Sequence, residues 1–89
     1  MVSKNIVIDC QEGLHLRPAT NLCKTAMHFD SKVTFQVRNV TANAKSVLNI
    51  LAAQVKQGEE VTFICDGPDE EQAMQEITEL AGRGMDVQD

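Results

Sequence analysis

The chain has no tryptophan, no tyrosine and only three phenylalanines. Its core must therefore be packed from Val, Ile, Leu, Ala and Met. No apolar run approaches the ~20 residues that cross a bilayer. Met1 to Cys10 lacks the basic-then-apolar pattern of an export signal. Positive charge is also scarce: 8 Lys and Arg stand against 13 Asp and Glu, for a net charge of -5. That balance excludes nucleic acid, which demands a basic footprint, and argues against anionic membrane surfaces. Cys10, Cys23 and Cys65 are odd in number and form no Cys-x-x-Cys. Neither a disulfide framework nor a zinc site is expected. The three thiols lie among apolar residues and read as small buried hydrophobes of a reducing, cytoplasmic setting. No metal and no cofactor are expected.

What is present is regular patterning. With 89 residues and no linker or repeat, the chain reads as one domain over 1–89. The β-branched run around Ile6-Val7-Ile8 predicts a strand near 2–9. From Leu16 to Met27 the period changes. Ala19, Leu22, Cys23 and Ala26 fall on one face of a helix. Val33, Phe35 and Val37 then alternate with polar residues, Asn39 marks a turn, and Val40, Ala42 and Ala44 continue, giving a hairpin over 32–44. Ser46 looks like the N-cap of a short helix over about 47–54, stopped by Gln57-Gly58. Glu60 to Asp66 is another alternating strand. Asp69 with Gln72 resembles a capping box for a last helix, whose apolar stripe is Ala73, Ile77, Leu80 and Ala81 and which Gly82 and Gly84 end. The order is β-α-β-β-α-β-α. Strands with one polar face need helices only on the other, so the fold class is an α+β two-layer sandwich.

Chemistry concentrates in Gly13-Leu14-His15-Leu16-Arg17-Pro18-Ala19. His15 precedes a helix whose first amide N–H groups lack internal partners and favour an anion. Pro18 fits a first turn, where a missing N–H costs little. Arg17 offers a planar fork of donors suited to phosphate oxygens. Gly13 frees the backbone to turn. Imidazole is substantially uncharged at neutral pH and can attack phosphorus. From the residues alone two readings stand: a phosphoryl acceptor, or a cap with a solvated arginine nearby.

Ser46 is fully explained as an N-cap, yet a phosphate there would put roughly −1.5 to −2 charges beside Val47, Leu48 and Leu51. Those residues are either a docking patch or a core-facing stripe. His28 suits the negative end of the first helix. It lies at the opposite end from His15, which argues against a shared metal.

At these residues the chain resembles the HPr family, the histidine phosphocarriers of the bacterial sugar phosphotransferase system. Gly13 to Ala19 looks like the family's active-centre segment and Ala44-Lys45-Ser46 like its regulatory-serine segment. Gly58, the strand Val61 to Cys65, Gly67 and Asp69-Glu70 match its later pattern. The resemblance implies an open-faced β-sandwich, four antiparallel strands with three helices on one face. It implies that His15 takes phosphate on Nδ1 from phosphorylated Enzyme I and gives it to EIIA domains, with Leu16, Arg17 and Pro18 around the phosphoryl group. Ser46 would be the target of HPr kinase/phosphorylase, with a catabolite-control transcription factor as a further partner. Thr20, Lys24, Val47, Leu48 and Leu51 would be docking residues, and the chain a monomer. Departures are Glu12 for a small polar residue, Thr20 for Ala, Met27 for Lys and Gln54 for Gly. Loss of a basic residue at 27 is expected to weaken docking to acidic partners. The alternative is a regulatory paralogue, in catabolite repression or a nitrogen-related branch, acting mainly by protein binding.

Overall fold

The computed structural model describes residues 1–86. Strands β1 (Val2–Val7), β2 (Lys32–Val37), β3 (Val40–Asn43) and β4 (Glu60–Asp66) alternate with helices α1 (Leu16–Met27), α2 (Val47–Ala52) and α3 (Glu70–Gly82) in the expected order. The strands form one antiparallel sheet ordered β1-β4-β2-β3.

The alternation decides which face is covered. Val33, Phe35 and Val37 on β2, and Val61, Phe63 and Cys65 on β4, are all buried. Phe35 and Phe63 stand directly opposite each other, with ring centroids 5.7 Å apart and planes tilted by 46°. Such a cross-strand pair adds to the burial of both rings. The helices cover this face, contributing Ala19, Leu22 and Ala26 from α1, Ile50 from α2, and Ala73, Ile77 and Leu80 from α3. The other face keeps its polar residues in water, as an antiparallel sheet permits.

Four local details differ from the sequence expectations. β1 ends at Val7, although Ile8 still donates to the Glu59 carbonyl at 2.9 Å. α2 stops at Ala52, before Gln57-Gly58, because Gln54 turns into the left-handed region at φ 51. Asp69 precedes α3 but makes no capping bond. Its carboxylate instead accepts hydrogen bonds from the Ser31 hydroxyl at 2.5 Å, the Ser31 amide at 2.9 Å and the Asp30 amide at 3.0 Å. These bonds, the Ser31 hydroxyl first, hold the carboxyl below its ordinary pKa. The expected capping box is thus a latch between α3 and the α1–β2 connection. Finally, Cys10 and Cys65 are buried but Cys23 is only partly so. Burial pushes the Cys10 and Cys65 thiols up.

α3 ends in a Schellman motif. Met85 N–H donates to the Leu80 carbonyl at 2.9 Å and Gly84 N–H to the Ala81 carbonyl at 3.0 Å. Gly84 takes φ 66, the left-handed turn such a cap requires. Met85 is 2% exposed and its carbonyl accepts from the Asn21 side chain at 2.9 Å, so the turn is pinned against α1.

Candidate functional site

The segment before α1 is held by backbone contacts. Gly13, at φ 72, lies so close to the chain after α2 that a Cβ there would sit 2.1 Å from the Val55 carbonyl oxygen. The next residue, Leu14, is 3% exposed and donates its amide to that same oxygen at 2.9 Å. Cys10 Sγ donates to the Gly13 carbonyl at 3.1 Å. The chain is therefore sewn to the end of α2 immediately before it delivers His15.

His15 is the N-cap residue of α1, with extended backbone (φ -78, ψ -168) and an exposed side chain that makes no capping bond. Its carbonyl takes the first helical hydrogen bond, from Ala19 N–H at 2.9 Å. The amides of Leu16 and Arg17 have no hydrogen-bond partner among the described residues. Pro18 has no amide hydrogen to offer, and its ring is buried. Two free N–H donors and the positive end of a three-turn helix thus lie beside the imidazole.

Arg17 is exposed, with Nη2 3.5 Å from Asp86 Oδ1. Both side chains are largely in water, so the contact orients more than it stabilises. His15, Arg17 and Pro18 line an open cavity of about 350 Å³ together with Asp9, Arg83, Gly84, Met85 and Asp86. Glu12, at φ 66, opens instead onto a second depression shared with His15, Leu51, Gln54 and Lys56. There a lysine stands with the carboxylate.

The other expected site residues fall on α1 and α2. Ser46 caps α2, its Oγ accepting from Asn49 N–H at 3.2 Å. Leu48 is 78% exposed, while Val47 and Leu51 are half-buried and Ile50 alone faces fully inward. The stripe is therefore split between core and surface. On α1, Leu16 and Met27 are 64% and 62% exposed, Lys24 is exposed, and Thr20 turns its hydroxyl to the Leu16 carbonyl at 2.8 Å. The spacing does not point to Arg83 and Asp86, which in the sequence are only the tail of a helix ended by glycines. The Gly82-Arg83-Gly84 pattern was the available sign that the chain folds back there.

An open-faced sandwich with one exposed imidazole over a helix start is the architecture of a small phosphocarrier. The family model described as the PTS HPr component phosphorylation site matches residues 2–82, and the chain belongs to this family of phosphotransferase-system phosphocarriers. It is 39% identical over 77 residues to the phosphocarrier protein HPr of Mycoplasma capricolum, covering 86% of each chain. Among solved structures it is similar to HPr of Thermoanaerobacter tengcongensis, at 33% identity, TM-score 0.93 and 99% coverage of both chains. It is also similar to Crh, the Bacillus subtilis catabolite repression containing protein, reported as a swapped-domain dimer, at 29% identity, TM-score 0.75 and full coverage of both.

Proposed function

We propose that this chain accepts a phosphoryl group from phosphorylated Enzyme I on His15 and passes it to EIIA domains of sugar uptake systems. The observation that carries the reading is the exposed His15 ring beside the unpartnered amides of Leu16 and Arg17. Attack requires the Nδ1 lone pair, with the ring proton on Nε2. As the bond from phosphorus to the donor breaks, negative charge stays on the three phosphoryl oxygens. The amides and the Arg17 guanidinium meet that charge with fixed dipoles and one full charge. The amides are fixed by the helix and need not rearrange, so they serve arrival and departure alike. The chain holds the group and hands it on, acting as a carrier rather than an enzyme, and works in the cytoplasm as a monomer.

Thr20, Lys24, Val47, Leu48 and Leu51 form the docking surface for Enzyme I and EIIA. Exposed Leu48 supports this role, since a side chain 78% in water gives little to the core. Ser46 is the regulatory site for an HPr kinase/phosphorylase. A phosphate on Oγ keeps its place at the N-cap while adding charge beside Leu48, and so changes partner choice more than fold.

Incubation with Enzyme I and phosphoenolpyruvate should add one phosphoryl group per chain, read by intact mass, and His15→Ala should abolish the gain. Equal gain in wild type and variant refutes the reading. The similarity to Crh supports a second reading, a regulatory paralogue binding a catabolite-control transcription factor through Ser46. In that case ATP and the kinase change partner affinity in His15→Ala as in wild type.

A further inference from the structure

The cavity beside His15 carries a second guanidinium. Arg83 follows the last turn of α3 and lines the same cavity as His15 and Arg17. The two arginines meet at one residue. Arg17 Nη2 lies 3.5 Å from the Asp86 carboxylate, and Arg83 Nε donates to the Asp86 carbonyl at 3.4 Å. The Schellman turn, buried Met85 and the Asn21 bond fix the backbone that presents them. Arg83 is therefore placed across the cavity by the fold, on an ordered turn.

Charge around the cavity shows what Arg83 contributes. Its walls carry two carboxylates, Asp9 and Asp86, and two guanidiniums, Arg17 and Arg83, with His15 itself. Without Arg83 the carboxylates would outnumber the cations where a phosphoryl dianion has to settle. Glu12 and Lys56, one charge of each sign, line the separate depression that His15 also borders. Arg17 is already engaged with Asp86, whereas among the described residues Arg83 bonds only through Nε, toward a neutral carbonyl, and its terminal nitrogens make no contact there.

We propose that Arg83 is a second cationic contact for the phosphoryl group carried on His15, closing the site from the end of α3. This rests on the assignment of His15 as acceptor, and the test separates the two. Potassium phosphoramidate is the donor, so no partner protein is needed. An imidazole nitrogen attacks phosphorus, the phosphorus–nitrogen bond of the reagent breaks, and ammonia leaves with the proton the ring gives up. The 31P shift of the phosphohistidine is then followed against pH in wild type, Arg83→Gln and Arg83→Lys. A nearby cation favours the dianion, so the titration midpoint should rise by about half a pH unit in Arg83→Gln and return toward wild type in Arg83→Lys. The wild-type midpoint should climb with added salt more than that of Arg83→Gln. Superimposable titrations of wild type and Arg83→Gln, with both folded by circular dichroism, overturn the contact and leave His15 standing. A phosphoryl signal that persists unchanged in His15→Ala overturns the acceptor and the contact together. Arg83 is exposed at a helix end, so Arg83→Gln should unfold like wild type.

Discussion

Replacing Gly13 by alanine tests whether the His15 segment is truly sewn to the end of α2. Two costs are separable. The first is conformational: at φ 72 an L side chain pays about 1–2 kcal/mol for the left-handed region. The second is steric. The new Cβ would lie 2.1 Å from the Val55 oxygen and 2.8 Å from Lys56 Cα, both backbone atoms with no rotamer to yield. The chain must back away, and the Leu14–Val55 hydrogen bond of 2.9 Å lengthens or breaks, at about 1 kcal/mol. Together the loss is about 2–3 kcal/mol, a large part of the roughly 5–15 kcal/mol typical of a domain. It should lower Tm by roughly 10–25 °C. Gly58→Ala is the matched control. Gly58 has φ 92, but a Cβ there meets nothing within 4 Å, so only the conformational cost of about 1–2 kcal/mol applies. Urea unfolding followed by circular dichroism compares the two. If Gly13→Ala and Gly58→Ala lose equal stability within about 0.5 kcal/mol, the close approach at Val55 is not as described.

Other outcomes follow from single features. Gln54 sits at φ 51 with an exposed side chain, so Gln54→Gly should gain about 0.5 kcal/mol in urea unfolding, the relief of strain being partly offset by a freer unfolded chain. Ser46→Ala removes the N-cap acceptor of α2 and should cost about 1 kcal/mol, whereas Ser46→Asp should lose much less; equal losses would contradict the cap. The Asp69 carboxyl is depressed by its bonds to Ser31 and Asp30. Its contribution is therefore fully present above the ordinary carboxylate pKa near 4 and is lost as pH falls through the lower folded value. Acid unfolding of Asp69→Asn should show a shallower loss of stability below about pH 4, and Ser31→Ala should raise the Asp69 titration seen by NMR.

Much of this arrangement was legible in the residues, and the parts that were not share a cause. Period two in Val33-Phe35-Val37 and Val61-Phe63-Cys65 reports a half-covered sheet directly, because each pattern is settled by neighbours along its own strand. His15 before a helix with Pro18 in its first turn is likewise a local arrangement. The role of Asp69 is not local, because its partners, Asp30 and Ser31, lie far away in sequence and outbid the local amides. The early stop of α2 has no signature in the residues, because glutamine is a poor marker for left-handed backbone. Cys23 was expected inside but lies at the margin of the α1 stripe. Arg83 and Asp86 show their importance only once α3 is laid against α1. The assignments of Leu48 and its neighbours divided between core and surface because a six-residue helix turns only one residue, Ile50, fully inward.

The two bare amides at the start of α1 belong to the main chain, and this frees the side chains that carry them. Leu16 can exchange its isobutyl group for another apolar shape, to suit a different visitor, without deleting a donor. Only a proline there would remove one. Under the proposed function, fitting the guest and gripping the cargo would thus be tuned separately at a single position.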